Sequence, residues 1–458
     1  MVVDFYMIVR RIKSEIVAHI SYFIGSASEA FVVDPRRDPQ IYVEISKKEN
    51  MNINYIFETH RNEDYVIGSK ELASLTGAEI YHGPWPDFHY GKRLNDGQKF
   101  KVGNLMVEAI HTPGHTPGCM SYAVSDLDSG KESVLVCTGD TLFVNETGRT
   151  DFAGPELRQE WSENLYNSIF NKLLPLGDHV ILCPAHGAGS ICGSGIAERE
   201  WSTIGIERLM NPKLQKPKED FIKFKVQEHH DYIPYFRVME KYNVQGAPFV
   251  GLGQKLEALS AKAFQDRIND GTVIVDTRSP AAFAGAHIER SYSIPTEILS
   301  FVGWFLSYDK PFVLVVDNDL DYITSNLSRI GYDNITGYLV DGIESWFNSG
   351  YPVESSSLLS ASKLKEKLDS GEKTILLDVR SKEEFEEKRM KDARNIYVGH
   401  LEERIEEISK KGPIVTICET GNRASLAASI LRRNGYDNVH NLLGGMSSWS
   451  KSKYPTIY

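Results

Sequence analysis

The chain contains no uninterrupted apolar run of the roughly 18 residues that a membrane crossing needs. Its first residues, MVVDFYMIVRRIKSEIVAHISYFIG, lack the charged, apolar, small-residue order of a secretory leader. A cytoplasmic protein without membrane attachment is therefore expected. Nor is there a dense Lys/Arg run interleaved with aromatics, and a formal charge of −11 opposes a phosphate backbone, so no nucleic-acid partner is expected. Cysteine is scarce. Cys119, Cys137, Cys183, Cys192 and Cys418 are odd in number and unpaired in spacing, which argues against a disulfide framework and for a reducing compartment. Any functional thiol is then chemical rather than structural.

At 458 residues the chain exceeds one ordinary core, and domains of roughly 100–200 residues imply two to four units. With 41% apolar and 25% charged residues, each unit can bury a core without metal or disulfide support. Up to about residue 210, apolar runs such as Phe31-Val32-Val33, Ile53 to Phe57 and Val134-Leu135-Val136 alternate with turns and helical stretches, and each stops at a polar motif. This is the pattern of a mixed α/β layer domain with chemistry at strand ends. Residues 211–254, polar and Pro-containing, read as an ordered connector with a helix or two, and a new domain begins near Leu256.

The second half repeats itself. VIVDTRSPAAF at 273–283 echoes ILLDVRSKEEF at 375–385, and GYDN recurs at 331–334 and 435–438. Each copy has a buried strand ending in Asp-x-Arg and a Gly-x-x-x-Trp segment, Gly342 to Trp346 and Gly445 to Trp449. Both are compact α/β units, with their boundary near the loose Ser355-Ser356-Ser357.

Four polar clusters in the first part carry His and Asp: Thr59 to Tyr65, His111 to His115, Thr138-Gly139-Asp140 and Pro184 to Gly187. Together with Gly148-Arg149-Thr150-Asp151-Phe152, they resemble the metallo-β-lactamase superfamily, and within it the persulfide dioxygenases. The resemblance implies an αββα sandwich and a single iron, Fe(2+), held by His60, His115 and Asp140, with zinc as a possible substitute in purified protein. Two imidazoles and one carboxylate leave three positions of an octahedral ion open for substrate and O₂. The superfamily motif THxHxDH is altered here, with Asn62 and Tyr65 in place of its second and third histidines. That removes partners for a second metal and argues against a two-zinc hydrolase. His186 is open to two readings, a remnant second-site ligand or a donor orienting the first site, the latter favoured by those missing partners. Asp64, His111 and His89 read as structural.

The segments His186 to Gly193 and Thr203 to Arg208 are similar to bacterial dioxygenase–rhodanese fusions, which extends the resemblance over nearly the whole chain. It implies three parts: 1–254, a dioxygenase-like domain with its connector; 255–354, a rhodanese-like domain lacking the nucleophile; and 355–458, a rhodanese domain with Cys418. Arg149 and Cys192 are implied on the substrate side. Cys192 either carries or guides sulfane sulfur or is a small core residue, and Cys119, Cys137 and Cys183 read as core.

In the last unit the strand Ile414 to Ile417 runs into Cys418-Glu419-Thr420-Gly421-Asn422-Arg423 and then a helix, the form of a rhodanese loop. Converging loop amides, a helix N-terminus and the Arg423 charge favour a thiolate nucleophile at Cys418, with Glu419, Thr420, Gly421 and Asn422 lining its substrate. Asp378 and Arg380 read as braces. In the first copy the matching strand leads into Asp317-Asn318-Asp319, and no cysteine lies between 193 and 417. That copy reads as a spacer or docking domain, or as a remnant. The combined expectation is oxidation of a small-molecule persulfide with O₂ to sulfite, coupled to sulfane-sulfur transfer that makes or uses thiosulfate and keeps sulfide and sulfite low. The rivals are a sulfurtransferase with a dead metal domain and a zinc hydrolase fused to a sulfurtransferase. A homo-oligomer, dimer or tetramer through the first domain, is implied by the resemblance.

Overall fold

The structure, a computed structural model, describes residues 7–152, 154–193, 195–228, 230, 232–251, 256–317 and 319–458. The expected junction at 254–255 and Asn318 lie outside the described residues. The chain divides into two compact units, one made of 1–253 with 328–331 and the other of 254–327 with 332–458.

Strict alternation builds the first unit, because successive side chains of an extended strand point to opposite faces. In Glu29–Val33, Phe31 and Val33 enter one core while Ala30 and Val32 enter another. Ser133–Gly139 splits in the same way, Leu135 and Cys137 against Val136. Two six-stranded sheets thus share an inner core, where Tyr22 and Phe57 of one meet Val107 and Tyr122 of the other. Helices Gln40–Glu49 and Ser69–Thr76 cover one outer face, and Arg158–Ser168 and Lys218–Gln227 the other, which completes an αββα sandwich. Strands Leu105–His111, Ser133–Gly139 and Ile181–Pro184 run in one direction, so the loops that follow them leave from one edge.

The second unit holds two five-stranded parallel sheets. Their equivalence extends to the helix caps. Ser279 accepts from the Ala282 amide and Ser381 from the Glu384 amide, each closing the first turn after an Asp-x-Arg strand end. The braces match as well: Arg278 is fork-bonded to Asp276 and donates to the Ala286 carbonyl, and Arg380 does the same to Asp378 and Lys388. Trp346 and Trp449 donate to the Pro352 and Pro455 carbonyls. No described helix is long and apolar enough to cross a membrane.

Candidate metal centre and thiol loop

His60, His115 and Asp140 come from loops beyond three different strands, and one donor atom from each lies within 4.8 Å of the others. All three are buried. Gly139 makes the approach possible: its φ of +53° suits a residue without Cβ, and a Cβ there would stand 2.6 Å from the Thr59 side chain.

Hydrogen bonds on the far side of each ring fix which nitrogen faces inward. His115 Nδ1 is 2.9 Å from the Arg149 carbonyl, which can only accept, so Nδ1 carries the proton. Thr59 Oγ1 donates to Asp34 Oδ2 at 2.7 Å and therefore accepts from His60 Nδ1 at 2.8 Å. In the neutral rings both Nε2 atoms then present lone pairs, to the carboxylate oxygen Asp140 Oδ2 at 3.7 Å (His60) and 3.6 Å (His115). Asp140 Oδ2 has no hydrogen-bond partner among the described residues. Lone pairs converging on an unpartnered carboxylate oxygen repel one another unless a cation joins them, and two imidazoles with a carboxylate suit a divalent transition metal.

Burial pushes His60 down to about 4, which keeps it neutral. Burial works to raise the Asp140 carboxyl, but His186 and His60 outweigh it and hold it well below the carboxylate range. Burial opposes charge on His115, yet Glu63 and Asp140 raise it, so the cluster attracts positive charge.

His186 uses both ring nitrogens on carboxylates, Nδ1 at 2.7 Å from Asp140 Oδ1 and Nε2 at 3.0 Å from Asp64 Oδ2. It pins the oxygen of Asp140 that faces away from the imidazoles. Asp64, His186 and Cys192 also bring donor atoms within 4.8 Å of one another, so His186 has neighbours of ligand type besides the contact by which it orients Asp140. Asp64, read from the sequence as structural, belongs to this polar group, whereas His111 holds the turn, 2.8 Å from the Pro117 carbonyl.

The Arg149 guanidinium is fork-bonded to Asp151 at 2.7 and 2.8 Å and lies over Phe152, whose ring packs edge-on against His115 at 5.3 Å. Cys137 and Cys183 are paired across neighbouring strands in the core, and Cys119 is buried. Sequence reasoning missed Glu63, His19 and Asn243. Glu63 Oε2 is buried, unpartnered and 3.6 Å from His115 Nε2. His19 stacks on Tyr65 at 3.9 Å, with neither ring nitrogen bonded among the described residues. An acidic residue inside a metal motif was the available signal for Glu63, and none marked the other two.

In the second unit Cys418 follows the central strand Ile414–Ile417 and is buried, its Sγ accepting from the Gly421 amide at 3.0 Å. The helix Asn422–Arg433 starts directly behind it. The sulfur thus lies at the carboxyl end of a parallel strand with the Gly421 N–H directed at it. Glu419 receives Ser447 Oγ at 2.6 Å and faces Arg380 at 3.5 Å. Arg423 is fork-bonded to Glu384, both contacts 2.7 Å, so its charge reaches Cys418 through space and not through a hydrogen bond.

The fold and both sites define a metallo-β-lactamase-type domain followed by rhodanese-like domains. Residues 17–186 match the metallo-β-lactamase superfamily, and residues 260–349 and 360–452 each match the rhodanese-like domain. The chain is 30% identical over 215 residues to the mitochondrial persulfide dioxygenase ETHE1 of Bos taurus, covering 44% of this chain and 74% of that protein. It is 28% identical over 229 residues to the Homo sapiens protein of the same name, covering 47% and 80%. Among solved structures, a metallo-β-lactamase from Staphylococcus aureus subsp. aureus COL superposes with a TM-score of 0.65 at 27% identity, over 73% of this chain and 98% of that one. The chain belongs to the persulfide dioxygenase family of the metallo-β-lactamase superfamily, with two rhodanese-like domains behind it.

Proposed function

We propose that this protein is an enzyme that oxidises a low-molecular-weight thiol persulfide to sulfite and free thiol at one non-haem Fe(II), and that Cys418 moves sulfane sulfur between persulfide, sulfite and thiosulfate. The overall reaction balances as RSSH + O₂ + H₂O → RSH + SO₃²⁻ + 2H⁺. The observation that carries this reading is the convergence of the His60 and His115 lone pairs on the unpartnered Asp140 oxygen, in a chain 30% identical to a protein named as a persulfide dioxygenase.

Iron, when bound, supplies the site where O₂ and the terminal persulfide sulfur meet. The chain's own groups do the rest. Thr59 and the Arg149 carbonyl hold the two imidazoles in the binding tautomer, and His186 fixes Asp140. Phe152 packs on His115 and limits water at the centre. Cys192, buried near Asp64 and His186, guides the sulfur that approaches. At Cys418 the thiolate attacks the sulfane sulfur of thiosulfate, forming a Cys–S–S⁻ persulfide and releasing sulfite; the reverse step makes thiosulfate. Glu419, Thr420, Gly421 and Asn422 line this loop, and Arg423 contributes charge. We assign the work to three parts, 1–254, 255–354 and 355–458, the middle one a spacer without a thiol, in a cytoplasmic homo-oligomer.

The test is O₂ consumption by anaerobically Fe(II)-loaded protein given glutathione persulfide, with sulfite and thiosulfate quantified in the same sample. Uptake matched by oxidised sulfur is expected. Absent uptake with intact thiosulfate-to-cyanide transfer overturns the oxidative half and leaves a sulfurtransferase.

A further inference from the structure

We propose that the Cys-less repeat completes the Cys418 site: its Ser293 is a positioning residue that fixes the first turn of the helix behind the thiol loop. The inference rests on the reading of Cys418 as the sulfur-transfer nucleophile and goes beyond the spacer role.

Both repeats belong to the same compact unit. Strand Tyr292–Ser293 of the first and strand Arg394–Asn395 of the last hold the same register, Ser293 opposite Asp276 and Asn395 opposite Asp378. Their side chains serve different partners. Asn395 donates to the Asp378 and Arg380 carbonyls of its own repeat, at 3.1 and 2.9 Å. Ser293 instead serves the helix Asn422–Arg433 of the last repeat: its Oγ lies 2.8 Å from Ser425 Oγ, and its amide donates to Ser429 Oγ at 3.0 Å. Ser429 Oγ gives its own proton to the Leu426 carbonyl at 2.7 Å, which leaves it an acceptor for that amide. All three serines are buried, so water does not stand in for these contacts, and a hydroxyl left alone there is unfavourable.

The path from Ser293 to the sulfur is short. The Ser425 amide donates to the Gly421 carbonyl at 2.9 Å, and the Gly421 amide donates to Cys418 Sγ at 3.0 Å. Gly421 has φ of +106° and no Cβ to restrict it, so a contact that holds its carbonyl side limits the swing of its amide. The same strand holds the far end of the helix, where Arg433 lies over the Tyr292 ring at 3.9 Å. By contrast, the charges available to an anionic sulfur donor are held inside the last repeat, Arg380 by Asp378 and Arg423 by Glu384. Ser293 thus bears on the placement of the Gly421 amide and not on capture of the donor.

The experiment uses the full-length chain in a single turnover. Thiosulfate loads its sulfane sulfur onto Cys418, sulfite leaves, and the added mass is followed over time, with Cys418→Ser as background. Ser293→Ala is expected to lower the saturating rate by about 2- to 10-fold, the effect of one net hydrogen bond, at an unchanged half-saturating thiosulfate concentration. Ser425→Ala removes the same contact from the other side; it is expected to match this loss, and decides the matter if the Ser293 variant does not fold. The double variant is expected to lose no more than either single one, because the two hydroxyls act as a pair. Tyr292→Phe removes a hydrogen bond to Glu402, 2.8 Å long and also between the repeats, but keeps the ring under Arg433; it is expected to load like wild type. A wild-type rate in folded Ser293→Ala, losses that add in the double variant, or an equal loss in Tyr292→Phe overturns the proposal and leaves Cys418 as the nucleophile. A wild-type chain that takes no sulfur from thiosulfate overturns both.

Discussion

Asn243 donates its side-chain amide to the carbonyl of Asn62 at 2.7 Å, and so holds the altered metal motif from a position 181 residues away. The same amide reaches the Tyr65 carbonyl at 2.8 Å, while its oxygen accepts from the Ile67 amide at 2.9 Å. One side chain thus satisfies three backbone groups of a buried loop. Asn243→Ala is expected to destabilise the first unit by about 2–4 kcal/mol, since it orphans those groups. Amide hydrogen exchange at Ile67 checks it locally. Retained protection there, with an unchanged melting transition, would count against the clamp.

That contact also shows where sequence reading stops. The strands ending in Asp-x-Arg, the loop at Cys418 and the trio His60, His115 and Asp140 were legible because each is a short local pattern tied to a strand end. Asn243 sits on the helix Phe236–Gln245 without any motif, and its role exists only after folding brings 62–67 to it. Asp64 and Cys192 met at His186 for the same reason, so an apparently broken motif hid a second polar trio. Glu63 was visible as a letter, but its orientation depends on Arg61 and Glu240, a contact spanning 179 residues.

Gly445 and Gly342 occupy equivalent places in the two repeats, with φ of +53° and +61°. A Cβ at Gly445 would lie 2.1 Å from the Cys418 carbonyl oxygen, whereas at Gly342 the nearest atom is the Val316 carbonyl at 3.3 Å. Gly342→Ala is expected to cost about 1–2 kcal/mol for the left-handed backbone alone. Gly445→Ala must also displace the thiol loop, so it is expected to cost more and to lower thiosulfate-to-cyanide transfer. Thermal unfolding of the two variants with parallel sulfur-transfer assays makes the comparison; equal losses in both would refute the steric account.

Glu384 closes the cap at Ser381 and grips Arg423. Burial works to raise its carboxyl, but Arg423 outweighs that and holds it below its ordinary value of 4.5. A carboxyl with a depressed folded value contributes stability that is present above the unfolded value and is lost as pH falls through the folded one. Denaturant unfolding of the second unit is therefore expected to weaken from about pH 5 downward. Glu384→Gln should flatten that slope while lowering stability at pH 7. An identical slope in the variant would exclude this pair as the source.

Thr59 links Asp34 to His60, donating to the first at 2.7 Å and accepting from the second at 2.8 Å. Its hydroxyl is what commits His60 to presenting Nε2 inward. Thr59→Val keeps the branched shape and removes the relay, so the ring loses the acceptor for its Nδ1 proton and is free to adopt the other tautomer. Metal affinity is expected to fall about 10–100-fold, the range typical of groups that orient a ligating histidine. Thr59→Ser, which restores the hydroxyl, should recover most of that loss. Chelator competition with Co(II) on the three proteins provides the readout. If the valine variant binds as tightly as wild type, His60 is oriented by packing alone, and the path from Asp34 through Thr59 has no part in metal binding.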